Sequence, residues 1–131
     1  MTHRLAAGVL SAALCLAAGW AVAGSATAGG GPTTIGIRNG ASEFSFFLTR
    51  TKVKPGPALI QYRNTGEDPH DVRLQRKGSD TVIELPETLP GEVSNFPDLR
   101  LKADSRYILW CSLDGHREAG MEADLKVKKR R

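Results

Sequence analysis

Residues 107–128 read YILWCSLDGHREAGMEADLKVK, and this stretch decides the fold. From Met121 to Val127, apolar residues alternate with charged ones, a period of two that is typical of a β-strand with one buried face. The run before it is apolar, contains aromatic residues and ends at Cys111, which indicates a second strand. The segment 112–120 then joins the two strands, so Cys111 and Met121 are expected at the same end of the fold.

Upstream of this stretch, short apolar runs alternate with turn signals such as Asn39-Gly40 and Asn64-Thr65-Gly66. No window carries a long helical period, and many short strands at this spacing predict an all-β sandwich or barrel. The expected strands are Thr34–Ile37, Glu43–Leu48, Ala58–Tyr62, His70–Leu74, Thr81–Leu85, Tyr107–Cys111 and Met121–Val127, with Pro86, Pro90-Gly91 and Pro97 marking turns in between.

The composition is that of an ordinary soluble globular protein, with 40% hydrophobic and 24% charged residues among 131. This length predicts a single domain. The formal net charge of +4 is mild, and nucleic-acid binding would need a patterned basic face, so we expect no nucleic-acid partner. We expect a monomer.

Residues 1–28 are interpreted as a secretory signal peptide. Arg4 precedes a run rich in Ala and Leu at 5–23, and small-residue cleavage patterns end at Ala23 or Ala28. The alternative is an uncleaved membrane anchor, since the run is just long enough to span a bilayer. The signal contains no twin-arginine pair. We therefore expect export in the unfolded state, to the periplasm or to the extracellular or cell-wall space.

Cleavage after Ala28 leaves about 100 residues, enough for one hydrophobic core. The expected organisation is a flexible leader at 29–32, a single domain at 33–128 and a basic tail at 129–131. The tail is interpreted as a solvated end, with docking on an acidic partner or anionic surface as the alternative. Once the signal is removed, we expect no stable membrane insertion.

The mature chain keeps one cysteine. Cys15 lies in the signal, where the preceding residues do not match a lipoprotein pattern, so Cys111 remains alone. A single thiol in an exported protein indicates a dimer bridge, an inert buried thiol or a metal ligand.

Cys111, His116 and Met121 fall within eleven residues, and His70 follows the turn that contains Pro69. A thiolate, two imidazoles and a thioether are the ligand set of a blue-copper centre, a trigonal His₂Cys plane with a weak axial Met. Taken singly, each residue has another interpretation: a core cysteine, a gap-filling methionine or a turn histidine.

The Cys-x₄-His-x₄-Met spacing near the C-terminus, the upstream Pro-His turn and the all-β pattern resemble the cupredoxins, the small blue copper proteins of the plastocyanin and azurin type. The resemblance covers about Ile35 to Val127. It implies a Greek-key β-sandwich with one type 1 copper ion at one end. The ligands it implies are His70, Cys111, His116 and Met121.

The resemblance also implies that His116 is the electron port, at which a redox partner protein docks. Several features depart from the family: the Cys-to-His spacing is longer than in plastocyanins, the loop 112–115 lacks a proline, and charged residues make the port more polar. Asp71 stands where the family often has Asn, and its side chain is expected to tie the two ligand loops together. Ser112 and Trp110 are further candidate supporting residues, with solvated surface or plain packing as the alternative.

The expected function is one-electron transfer without catalysis, because no second histidine cluster exists to bind oxygen at further coppers. The alternative is copper storage, scavenging or delivery outside the cytoplasm. Zinc is a weaker metal candidate, since thioether is a poor zinc ligand.

Overall fold

The computed structural model describes residues 31–130 and consists of β-strands joined by turns and loops. The predicted signal peptide, residues 1–28, lies outside the described residues. The strands are β1 (Thr33–Asn39), β2 (Phe46–Leu48), β3 (Lys52–Val53), β4 (Gly56–Arg63), β5 (Arg73–Arg76), β6 (Val82–Glu84), β7 (Val93–Leu101), β8 (Ser105–Trp110) and β9 (Glu122–Val127). The predicted all-β sandwich is confirmed. Among residues 31–130, no helix is long and apolar enough to cross a membrane.

The strands form two sheets. One has four strands in the order β2-β1-β4-β7, and the other has five in the order β3-β9-β8-β5-β6. The β1–β4 and β3–β9 pairs are parallel, and the other neighbours are antiparallel. The core lies between the sheets, where side chains of alternate residues on each strand meet.

Strand β9 shows the alternation expected from its sequence. Leu125 and Val127 are buried, whereas Glu122, Asp124 and Lys126 are exposed. Burying the side chains of one face of such a strand stabilises the fold by about 1.5–3 kcal/mol for each large aliphatic residue. The local pattern alone therefore determined the orientation of this strand.

Strand β7 was missed, because the prolines were interpreted as turn signals. It is nine residues long and contains Pro97. The strand lies at the edge of its sheet, and its pairing with β4 shifts register between Ala58 and Ile60, opposite Pro97. A residue without an N–H is tolerated at an edge bulge of this kind, where no ladder hydrogen bond is required of it. The two-residue strand β3 was also missed.

The strand expected to start at His70 starts at Arg73 instead. His70 forms only an isolated bridge with Thr88. It therefore lies in a loop at one end of the sandwich, where β4, β8 and β1 also end. The residues beyond those ends, 40–45, 64–72 and 111–121, meet there.

Candidate metal centre

His70 is wholly buried at this end of the sandwich. Its N–H donates to the carbonyl of Thr88 at 3.2 Å, and the Thr88 N–H donates to the carbonyl of His70 at 2.7 Å. The Asn64 side chain braces the bridge by donating to the carbonyls of Thr88 at 2.8 Å and Asp68 at 2.7 Å. The imidazole therefore projects from a backbone that is held on both sides.

Cys111 directly follows β8 and has no exposed surface. Its N–H donates to the carbonyl of Met121 at 3.0 Å, so the two residues do lie at the same end of the fold. Burial raises the pKa of the Cys111 thiol. A metal ion binding this sulfur would have to displace its proton.

The loop 112–120 turns back on itself through a series of short hydrogen-bonded turns. Gly115 and Gly120 have φ angles of +78° and +109°, a conformation that residues with a Cβ rarely adopt. The Met121 N–H donates to the carbonyl of His116 at 3.0 Å, which closes the loop. These turns bring the His116 imidazole back toward the buried thiol.

Three side chains from two loops converge at this point. The Nδ1 atoms of His70 and His116 lie 3.1 Å apart, and the Cys111 sulfur lies 4.0 Å and 3.5 Å from them, respectively. No other group of three or more His, Cys, Asp or Glu side chains within 31–130 meets the geometry of a metal site. The fold thus brings His70 and Cys111 together, although 41 residues separate them in the sequence.

The spacing of the three atoms fits a first-row transition metal. With bond lengths typical of zinc sites, a trigonal arrangement would separate its nitrogen and sulfur atoms by about 3.6–3.8 Å. The observed separations of 3.1, 3.5 and 4.0 Å bracket this value. Small shifts of the side chains would therefore allow His70, Cys111 and His116 to share one ion.

Met121, the fourth candidate ligand, is wholly buried and lies directly before β9. Its backbone is hydrogen-bonded to both Cys111 and His116. The structure thus holds Met121 beside two of the candidate ligands. Its role as a ligand remains a prediction.

Asp71 connects the two loops, a contact that the family resemblance led us to expect. Its carboxylate accepts the Ser112 N–H at 2.6 Å and the Ser112 hydroxyl at 2.5 Å, and it accepts Arg73 Nε–H at 3.0 Å. The Asp71 side chain is buried, in the loop segment that precedes β5. Burial would raise the pKa of Asp71, but these hydrogen bonds, with Cys111 and the Arg73 charge, lower it below its usual value.

Trp110 faces away from the candidate ligands, on the opposite side of its strand, and is half-buried. The Arg117 guanidinium lies over its ring at 4.7 Å from the centroid. Arg117 is also hydrogen-bonded to Glu122 at 2.9 Å. Trp110 therefore packs on the outside of the sheet and supports the loop through Arg117.

His116 is the one partly exposed member of the three-residue cluster. Its ring lies 4.8 Å from that of Phe44, and its chain neighbours Asp114, Arg117 and Glu118 are exposed. Exposed charged residues thus flank this histidine in the sequence, and its ring has an aromatic contact.

Sequence reasoning missed Glu43, whose Oε1 lies 2.7 Å from His70 Nε2. It was assigned to a strand, but the chain turns at 42–44 and β2 begins at Phe46. Burial would raise the pKa of Glu43, but hydrogen bonds from the Asp68 N–H, the His70 ring and the Glu67 N–H lower it. No local pattern links a glutamate to a histidine 27 residues away, so the sequence carried no signal for this contact.

Comparison with solved structures identifies the fold. Auracyanin A, a "blue" copper protein from Chloroflexus aurantiacus, is 22% identical and superposes with a TM-score of 0.63 over 75% of this chain and all of its own. Auracyanin from Roseiflexus castenholzii is 16% identical, with a TM-score of 0.60 over 75% of this chain and 98% of its own. Reduced rusticyanin is 19% identical, with a TM-score of 0.55 over 76% of this chain and 81% of its own.

These proteins are cupredoxins, so the chain has the cupredoxin fold, as the sequence resemblance implied. No family model and no curated protein matches the sequence. At these identities the likeness establishes the architecture, and the chemistry must be argued from the side chains.

Proposed function

We propose that this cupredoxin-fold chain is an exported type 1 (blue) copper protein that carries single electrons between redox partners. Its copper ligands would be His70, Cys111, His116 and Met121. The observation that carries the proposal is the meeting of one cysteine sulfur and two imidazole Nδ1 atoms within 4.0 Å of one another at a buried end of the sandwich.

The donor set favours copper over zinc. Two imidazoles and a thiolate with a weak axial thioether are typical of blue-copper sites, whereas zinc sites rarely use a thioether. The carboxylate of Glu43, beside the His70 ring, already accepts hydrogen bonds from His70, Glu67 and Asp68. Copper bound here would supply a one-electron Cu(II)/Cu(I) couple.

The rigidity of the site favours electron transfer over copper delivery. His70, Cys111 and Met121 have no exposed surface, and backbone hydrogen bonds hold each of them. Such a frame keeps the donor atoms in nearly the same place in both oxidation states. It also slows release of the ion, whereas a delivery protein would need rapid release.

His116 is the proposed route for the electron, because it is partly exposed while the other candidate ligands are buried. A redox partner would dock on the surface around it. The exposed charges of Asp114, Arg117 and Glu118 would make that docking sensitive to ionic strength. No substrate is transformed in this role, so the chain would act as a carrier rather than as an enzyme.

Copper loading tests the proposal directly. Mature protein titrated with Cu(II) is expected to bind one equivalent and to turn intensely blue or green through charge transfer from the Cys111 thiolate. The Cys111→Ser variant should be colourless while keeping the wild-type circular dichroism spectrum. Stoichiometric copper binding without a charge-transfer band in the wild type would exclude a blue-copper site.

Copper handling is the second candidate function, and two rates separate it from electron transfer. Transfer of Cu(I) to an excess of chelator should be slow for a carrier, and electron self-exchange should be fast. Rapid loss of copper with sluggish self-exchange would instead favour storage or delivery.

A further inference from the structure

The His70 ring is wholly buried, and both of its nitrogens have partners. Nδ1 faces the Cys111 sulfur and the Nδ1 of His116, and Nε2 lies 2.7 Å from Oε1 of Glu43. An ionised carboxylate can only accept hydrogen bonds. In a neutral imidazole, the single N–H must therefore be on Nε2, which leaves the lone pair of Nδ1 directed at the cluster.

Glu43 is itself held in place by the backbone around it. Its carboxylate accepts the N–H groups of Glu67 and Asp68 at 3.0 Å, and its own carbonyl accepts the side-chain amide of Asn39 at 3.0 Å. The carboxylate packs against Gly66, where a Cβ would occupy the space of its oxygens. The contact with His70 is thus part of a built arrangement and not a chance approach of a surface side chain.

We propose that Glu43 is the positioning residue of His70. It sets the tautomer of the imidazole, points Nδ1 at the metal, and makes the ring a stronger donor that favours the oxidised ion. A metal-bound histidine with its other N–H on a carboxylate is a recognised way to fix ring orientation and to raise ligand basicity. The metal part of this inference rests on the proposed copper function, whereas the tautomer does not.

Two substitutions at position 43 separate charge from hydrogen bonding. Glu43→Gln keeps an oxygen acceptor for the His70 N–H but removes the negative charge, and Glu43→Leu removes both. Glu67→Gln is the matched control, because it removes an exposed acid of the same turn whose side chain has no hydrogen bond or ion pair within the described residues. Gly66→Ala is an independent variant, since its methyl group would push the Glu43 carboxylate away without changing any charge.

The first readout needs no metal. In the copper-free wild type, the ¹⁵N resonances of His70 should show a protonated Nε2 and an unprotonated Nδ1. Glu43→Gln should keep this tautomer, whereas Glu43→Leu and Gly66→Ala should populate the other one. The same His70 tautomer in Glu43→Leu as in the wild type would overturn the proposal.

The second readout is the copper-loaded protein. Replacing such a supporting residue lowers metal affinity about 10- to 100-fold. If the loss in Glu43→Leu is tenfold larger for Cu(II) than for Cu(I), the reduction potential rises by about 59 mV. Glu43→Gln should shift it in the same direction by less, and Glu67→Gln by less still. Equal shifts in all three would show a through-space effect of charge and would refute the positioning role.

The two proposals fail separately. A wild-type protein that binds no copper would end the proposed function, and the tautomer of His70 would still decide the role of Glu43. A blue wild type with an unchanged tautomer in Glu43→Leu would leave the function intact and end the inference about Glu43.

Discussion

Replacing Asp71 tests how much the link between the two ligand loops contributes to stability. In Asp71→Ala, Ser112 loses an acceptor for both its N–H and its hydroxyl, and Arg73 loses one of its two carboxylate partners. Hydrogen bonds to a charged group contribute about 1.5–3 kcal/mol each. The exposed Ser112 can bond to water instead and Arg73 keeps Glu84, so the net loss is that of only one to two such bonds at the lower end of this range.

The expected loss for Asp71→Ala is therefore about 2–3 kcal/mol in the free energy of unfolding of the copper-free protein. For a domain of this size, that corresponds to a drop of about 10–20 °C in Tm. Urea unfolding at pH 7 under reducing conditions measures it. Asp124→Asn is the matched control, because Asp124 is exposed and, among residues 31–130, forms an ion pair with Lys77 alone, worth at most about 1 kcal/mol.

The pH dependence of the difference in stability between wild type and Asp71→Ala identifies the cause of that difference. The folded-state pKa of Asp71 lies below its ordinary value of 3.8. Its ionised form therefore stabilises the fold fully above pH 3.8, and this contribution is lost as the pH falls through the folded-state pKa. The gap in stability between wild type and Asp71→Ala should be constant from pH 7 to about 5 and should shrink at lower pH. A gap that is equally large at pH 3, or below 0.5 kcal/mol at pH 7, would refute this account.

Three further predictions follow from the site. Burial raises the pKa of Cys111, so copper binding must release the thiol proton, and the apparent copper affinity should rise about tenfold per pH unit between pH 7 and 8. A flat profile in a competition titration would mean that the thiol is not a ligand. Met121→Leu should keep the colour but raise the reduction potential, because loss of an axial donor destabilises Cu(II) more than Cu(I); an unchanged potential by voltammetry would exclude axial ligation by Met121. Gly120→Ala should lose about 1–3 kcal/mol, because φ there is +109°; thermal melting within 2 °C of wild type would show that the loop relaxes without strain.

Much of the fold could be predicted because its signals are local. The alternation in β9 and the apolar run of β8 determine which side chains face the core, and the short loop between them places Cys111 and Met121 at one end. The loop glycines adopt the positive φ angles expected of tight turns. Strand β7 was not predicted, because Pro97 was interpreted as a turn residue. The proline is tolerated in β7 because the strand lies at the sheet edge and its pairing with β4 shifts register there.

The amino-acid sequence by itself determined the parity of β9 and placed Cys111, His116 and Met121 in one short loop, since both depend on neighbours within about ten residues. Only the tertiary structure decided that the His70 ring contacts Cys111 and His116. It alone also decided that Asp71 is hydrogen-bonded to Ser112 and Glu43 to His70. Those contacts span 27 to 46 residues. They depend on how two sheets pack and where their connecting loops meet, and no periodicity along the chain encodes that.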